Sequence, residues 1–176
     1  MNISDFKGYF DLDLLYKERW NLEKSKISGG NHCSEYFDLG YSCAEASFMA
    51  ICDMLEVEDG PNSCVATCFG GGMGRNNLIC GAISGCLMGI GVKLNRTSPT
   101  QSELKELAYS ISKEYISTFE KENGSLYCTE LCGCNMSTQD GLARYNDEKV
   151  HFTFCKPMVE KAVETAFDIT NRNVNV

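Results

Sequence analysis

Glycine recurs at every fourth position, Gly81, Gly85 and Gly89, inside the weakly polar run Leu78–Val92. A helix is the conformation that gathers such a repeat on one face. In water that face costs helix propensity, about 1 kcal/mol per glycine against alanine. The cost makes sense where a second backbone, or a cofactor, approaches very closely. The run has 15 residues and is interrupted by its glycines. It is too short to cross a bilayer and reads as a buried helix.

Elsewhere helix signals are frequent and strand signals scarce. There is no clear alternating run of β-branched residues and no Asn-Gly or Asp-Gly turn between two such runs. Ser42-Cys43-Ala44-Glu45 reads as a capping box opening a helix to about Val57, with Ala46, Ala50 and Met54 inward. Asp59-Gly60-Pro61 ends it. A short helix through Cys64 and Cys68 leads into Gly70-Gly71-Gly72-Met73-Gly74-Arg75, too glycine-rich to be regular. Asn77 is placed as the cap of the Leu78–Val92 helix. Ser98-Pro99-Thr100-Gln101 reads as a second capping box with proline at the first helical position. The helix behind it carries an apolar stripe of Leu104, Leu107, Ala108, Ile111, Tyr115 and Phe119, and Gly124 stops it. Ser125 is placed as the cap of a short helix with Cys128 and Cys132. The last helix is expected to start near Cys155-Lys156-Pro157. Its inward face is Met158, Val159, Ala162, Val163, Ala166 and Phe167, and the polar tail from Thr170 reads as frayed.

These signals predict an all-α fold, a packed bundle of about six or seven helices. Residues 1–35 read as an N-terminal extension with a helix over roughly Asp11–Lys26 carrying Leu12, Leu15, Tyr16 and Trp20, broken at Ser28-Gly29-Gly30-Asn31. Residues 36–176 form the cysteine-rich helical domain. A length of 176 residues with 43% hydrophobic content suits one domain with a real core. The net charge of -8 argues against nucleic-acid binding, which needs a basic face. The opening Met1-Asn2-Ile3-Ser4-Asp5 lacks the basic and apolar segments of a secretory signal, so the expected setting is cytoplasmic, without membrane insertion.

Eleven cysteines are unusual in that setting. A reducing compartment disfavours a disulfide framework, and an odd number cannot pair internally in full. On the caps assigned above, four cysteines fall at helix starts. Cys43 follows Ser42, Cys80 and Cys128 lie three residues after Asn77 and Ser125, and Cys155 opens the last helix. Free backbone N–H groups and the positive end of the helix dipole favour a thiolate there, the form that attacks disulfides and binds metals. The others carry weaker signals. Cys64 and Cys68, four apart, read as core residues in preference to a ligand pair, and Cys52 and Cys86 read as packing. Cys132 and Cys134 either extend the ligand set beside Cys128 or end a helix at Gly133. Cys33 has no assigned role. Of the two histidines, His32 has none and His151 reads as an exposed loop residue, with metal ligation as the alternative. So few histidines give no convincing hydrolase triad, and Gly70–Gly74 lacks the Gly-Lys-Ser/Thr of a phosphate loop.

In order along the chain stand Gly40-Tyr41-Ser42-Cys43-Ala44-Glu45-Ala46, Phe69-Gly70-Gly71-Gly72-Met73-Gly74, Cys80-Gly81-Ala82-Ile83-Ser84-Gly85 with Leu87-Met88-Gly89-Ile90-Gly91, Cys128 with Leu131-Cys132-Gly133-Cys134, and Cys155. This set resembles a family of redox-active proteins named for its cysteine pattern, C_GCAxxG_C_C, across roughly residues 36–170. The resemblance implies that Cys43, Cys80, Cys128 and Cys155 are the characteristic cysteines. One departure is Leu131-Cys132, where the family usually has two leucines, which adds a thiol. Related domains occur beside haem or iron–sulfur redox modules, which points toward electron transfer.

The leading expectation is an electron carrier with a cysteine-ligated iron–sulfur cluster. Cys43, Cys80, Cys128 and Cys155 are its ligands, Cys132 is a further candidate, and Gly72, Gly74 and Gly81 are candidate backbone contacts. Arg75 and Lys156 are the nearby cations in sequence. The spacing does not match a ferredoxin run. A metal-free thiol–disulfide protein is the second expectation. A structural zinc site is the third, with Cys64/Cys68 and Cys128/Cys132 at knuckle spacing. Whether the chain is an oxidoreductase or a carrier without its own substrate stays open. The expected partners are a redox protein and, from the glycine face, a second copy in a homodimer.

Overall fold

The computed structural model describes residues 32–57 and 63–174, and among these there are helices joined by turns and no β-strand. The expected Asp11–Lys26 helix and the Asp59-Gly60-Pro61 stop lie outside the described residues. In chain order the helices are α1 (Cys33–Asp38), α2 (Cys43–Met54), a 3-10 helix (Ser63–Phe69), α3 (Gly70–Met73), α4 (Gly81–Leu94), α5 (Ser102–Asn123), α6 (Cys128–Cys132), α7 (Gln139–Asp147), a π-helical turn (His151–Cys155) and α8 (Lys156–Val174).

The Ser42 capping box forms as expected. Glu45 N–H donates to Ser42 Oγ at 3.4 Å, and Ser42 N–H donates to Glu45 Oε2 at 2.9 Å. The other Glu45 oxygen accepts from Thr67 Oγ1 at 2.6 Å, which ties the start of α2 to the 3-10 helix. Behind that start α4 lies along α2. A side chain on Gly85 would meet Ala44, Ser47 and Phe48, and one on Gly89 would meet Ile51. The glycine face is therefore occupied by a second backbone from the same chain. The glycine repeat thus gives no ground of its own for a homodimer.

The core gathers around this pair. α8 buries Val159, Ala162, Val163, Ala166, Ile169 and Thr170, while Met158 and Phe167 are half-buried. It does not fray at Thr170 but runs to Val174, because Thr170 turns inward and donates to the Ala166 carbonyl at 2.7 Å. From α5 come Ile111, Tyr115 and Phe119, and Gly124 ends that helix in the left-handed conformation. Its start differs from the expectation. Gln101 is the N-cap and α5 begins at Ser102; the Gln101 side chain accepts from Thr97 and Ser98 N–H groups, building a turn ahead of the helix. α1 inserts Cys33, Tyr36 and Phe37, with Tyr36 donating to Asp53 at 2.6 Å.

The described residues hold eight α-helices, more than the sequence suggests. α7 escapes a pattern search because none of its residues is buried, so it has no apolar stripe to read. Its start is fixed locally: Thr138 Oγ1 accepts from Gly141 N–H at 3.1 Å. No described helix is long and apolar enough to cross a membrane.

Candidate functional site: a cysteine centre beside a glycine turn

Three backbone segments clasp one another next to α2. Leu78 N–H donates to Gly72 O (3.1 Å), Cys128 N–H to Leu78 O (2.8 Å) and Cys80 N–H to Leu126 O (2.9 Å). The clasp brings Cys80 and Cys128 against the glycine turn. Gly72 has a positive φ of 68°, and a side chain there would lie 2.7 Å from Cys128 Cβ and 2.8 Å from the Leu78 backbone. Only glycine satisfies both demands. Gly74 stands at the end of this turn with φ 67°. Its N–H is committed to the Gly70 carbonyl at 2.9 Å, closing the turn.

The caps differ from those read in the sequence. Cys43 is the first residue of α2, as expected. Asn77, however, sits at φ 59° and spans to another loop, donating to Asn135 Oδ1 (2.7 Å) and accepting from Met136 N–H (3.0 Å). Cys80 itself is the N-cap of α4. Tyr127 takes the corresponding position before α6, whose first residue is Cys128; Ser125 instead accepts from Tyr127 N–H and donates to Glu130. The last α-helix starts at Lys156, where the sequence places it, but Cys155 does not stand at a free helix N-terminus. The chain before it is already wound into the π-helical turn, and Lys156 N–H is satisfied by His151 O. Three of the four cysteines stand at helix N-termini, and the fourth does not.

These four thiols nevertheless share one neighbourhood. Cys43 and Cys155 both oppose ionisation of Cys80, Cys80 and Cys43 oppose that of Cys128, and Cys43 opposes that of Cys155. Cys132 and Cys134 act on Cys155 as well, and Cys43 acts on Cys33. Cys64 and Cys68 are both exposed, which overturns the core reading for them: the short 3-10 helix turns them outward. Cys52 and Cys86 are buried as expected, and Cys33 joins the core on α1. Among the described residues, no three His, Cys, Asp or Glu side chains are gathered closely enough to hold a single metal ion.

Burial dominates the electrostatics, which reverses the expectation of easily formed thiolates at helix starts. The Cys43 thiol is pushed up by burial, against the N–H groups of Gly71, Ala44 and Gly81 that pull it down. Cys80 is pushed well up by burial and by Cys43, despite the amides of Ala82 and Ile83. Burial pushes Cys155 up to about 12, opposed by a hydrogen bond from Tyr145. Half a helix dipole is a small charge, and it does not offset removal of a thiolate from water.

Cys132 is the exception. Its half-buried thiol is lowered to about 6, first because the Cys128 thiol donates a hydrogen bond to it and then through the Cys134 amide. The same bond, together with burial, pushes Cys128 far up. As a neutral thiol Cys132 donates instead to the Cys134 carbonyl at 3.5 Å.

Two neighbours of the site have no signal in the sequence pattern. Arg144 donates to the Gly133 carbonyl at 3.2 Å and pairs with Glu148 at 2.9 Å, placing a cation beside the Cys132–Cys134 turn. Tyr145 reaches Cys155 from a helix ten residues earlier. Lys156 is paired with Asp38 at 2.7 Å, and Arg75 is exposed. His151 is no exposed loop residue: it is half-buried and stacked on Phe37, with ring centroids 4.4 Å apart.

The family model described as "Putative redox-active protein (C_GCAxxG_C_C)" matches residues 41–169. Comparison with curated proteins and with solved structures gives no match.

Proposed function

The chain belongs to the C_GCAxxG_C_C redox-active family, and from that premise we propose that it carries electrons on an iron–sulfur cluster held by Cys43, Cys80, Cys128 and Cys155. The observation that carries this reading is the mutual influence of four thiols, two of them, Cys43 and Cys80, also addressed by backbone amides. Gly71, Ala44 and Gly81 address the Cys43 sulfur, and Ala82 and Ile83 address Cys80. Thiolates are the usual ligands of such clusters, and N–H groups on their sulfurs stabilise the negative assembly. The donor set fits the group. Bound there, the cluster supplies a one-electron couple, and a separate redox protein gives or takes the electron.

Ionisation energetics support the same reading. Cys43, Cys80 and Cys155 are hard to ionise as free thiols, so they are poor nucleophiles near neutral pH. The positive charge of iron offsets both burial and their mutual repulsion. A single zinc ion is less well supported. It draws its sulfurs to about 2.3 Å from one centre, and no described trio of ligands is gathered for that.

The deciding experiment is anaerobic purification with a visible spectrum and iron, sulfide and zinc analysis of one sample. A sulfur-to-iron charge-transfer band with stoichiometric iron and sulfide is expected. A colourless protein without iron, after reconstitution has been tried, overturns the reading.

Thiol–disulfide exchange is a second reading, favoured by the Cys128–Cys132 hydrogen bond. In the metal-free protein Cys132 is expected to be alkylated faster at pH 7 than buried Cys43, Cys80 and Cys155. The midpoint of its rate–pH profile should lie near 6. Cys128→Ala removes the donor, so that midpoint should rise toward the ordinary thiol value of 9.0. Peptide mass spectrometry reads both. A profile unmoved by the substitution means that Cys128 does not activate Cys132.

A further inference from the structure

Tyr145 stands between two groups that compete for its single hydroxyl proton. Its oxygen is 3.2 Å from His151 Nδ1 and 3.8 Å from Cys155 Sγ. The imidazole is held in place by its stack on Phe37 and by the edge-on Phe152 ring, 4.9 Å away. The π-helical turn carries His151 at its start and Cys155 at its end. Single π-turns of this kind occur frequently at functional sites.

The position of one proton decides which bonds form. When Nδ1 is bare it accepts from the Tyr145 hydroxyl, and the sulfur receives no donor. When Nδ1 carries a proton it donates to the tyrosine oxygen. The hydroxyl proton is then free to turn toward Cys155. Starting from the neutral Nε2–H tautomer, which leaves Nδ1 bare, uptake of a proton at Nδ1 becomes a hydrogen bond on the sulfur.

We propose that Tyr145 and His151 are positioning residues that couple protonation of His151 to electron uptake at the centre ligated by Cys155, through the hydroxyl proton of Tyr145. The redox half of this inference rests on the iron–sulfur reading; the hydrogen-bond switch does not. A donor on a ligand sulfur favours the more electron-rich, reduced state. Protonation of His151 therefore raises the potential, and by linkage reduction tightens proton binding at His151 by the same factor. One electron enters from the redox partner and one proton from water goes to Nδ1. Reoxidation returns both.

The groups around the ring set the pH range. Lys156 from α8 opposes protonation, and its own partner is Asp38 of α1. Burial is the larger cause, and together they hold His151 below its ordinary value of 6.5. From α7, Tyr145 faces it through its hydroxyl, 3.2 Å from Nδ1, and a phenol keeps its proton across the histidine range. Cys155 is felt through that hydroxyl. In the metal-free protein His151 therefore titrates on the acid side of the ordinary histidine range.

The test measures midpoint potential against pH in the cluster-loaded wild type, Tyr145→Phe and His151→Gln. Full coupling shifts the reduced-to-oxidised ratio tenfold per pH unit, about 59 mV for one electron. A slope approaching that is expected for the wild type, and flat profiles for both variants. Tyr145→Phe keeping the wild-type slope overturns the inference. A second arm uses metal-free protein and follows His151 by NMR, which is tractable with two histidines in the chain. Loss of the Tyr145 oxygen should weaken proton binding at His151 about threefold, because the imidazolium loses a charge-assisted bond. An unchanged His151 titration also overturns the inference. If the wild type binds no cluster, the iron–sulfur reading fails and the NMR arm alone decides.

Discussion

Gly85→Ala is expected to destabilise the protein by about 3 kcal/mol or more, at the upper end of what overpacking costs. The added methyl would be driven onto the Ala44 carbonyl oxygen, with Ser47 Cβ at 2.8 Å and Phe48 N at 2.9 Å. Two of those three neighbours are backbone of α2, so no side-chain rotation relieves the clash. α2 and α4 would have to separate, and both are core helices with buried Ala44, Ser47 and Phe48 on one side and Gly81, Ser84 and Gly85 on the other. Gly91 on the same helix supplies the control. A methyl there meets nothing within 4 Å. Gly91→Ala should stabilise by about 1 kcal/mol through helix propensity alone. Urea unfolding of the two variants and the wild type measures both effects, as midpoint shifts at unchanged slope. Equal effects at the two positions would mean that the α2–α4 approach is not as close as described.

The contrast between those glycines also shows what the sequence can and cannot express. Gly81, Gly85 and Gly89 are legible because a period of four has meaning only on a helix, and the same reasoning requires a close neighbour. What that neighbour is depends on which helix packs there, and no local pattern encodes it. The Ser42 capping box is legible for a similar reason, since both partners lie within four residues. Asn77 and Ser125 mislead because their side chains have longer-range or alternative partners, Asn135 for one and Glu130 for the other. A cap residue with somewhere better to bond does not cap. Cys155 misleads because a π-helical turn has no sequence signature as strong as the proline that follows it.

The site divides in the same way. Helix-start positions single out four cysteines, of which three stand at free helix N-termini, and burial outweighs the ease of ionisation that such positions imply. What brings Cys80 to Cys128 is the clasp of Gly72, Leu78 and Cys128, a set of backbone bonds between segments some fifty residues apart in sequence, and what sets Cys43 beside Gly81 is the packing of α2 on α4. Tyr145 and Arg144 belong to a helix without an apolar face, so neither could be singled out from periodicity. Cys64 and Cys68 at four-residue spacing fit a buried stripe as well as an outward one, and a 3-10 helix settles it outward.

Gly81→Ala should remove nearly all bound iron while Cys64→Ser leaves iron at the wild-type level, if the proposed cluster stands on Cys43. The methyl on Gly81 would be forced onto the Cys43 sulfur itself, with Ala44 N at 3.0 Å and Ala44 Cβ at 3.2 Å. The backbone cannot retreat, because Ala44 lies in the first turn of α2 and its side chain is fully buried. The sulfur must rotate away, and it then leaves the amides of Gly71, Ala44 and Gly81 that address it. Cys43→Ser tests the same ligand by changing the atom while keeping the space, and the two variants should lose iron alike. Cys64 is exposed whereas none of the four proposed ligands is, so it controls for a general effect of removing a cysteine. Iron and sulfide per chain, measured on anaerobically reconstituted protein with helicity checked by circular dichroism, give the reading. Full iron in both Cys43→Ser and Gly81→Ala would remove Cys43 from the ligand set. Iron lost from Gly81→Ala but retained by Cys43→Ser would show instead that the glycine acts on the packing of α2 against α4, and that the sulfur beside it is not a ligand.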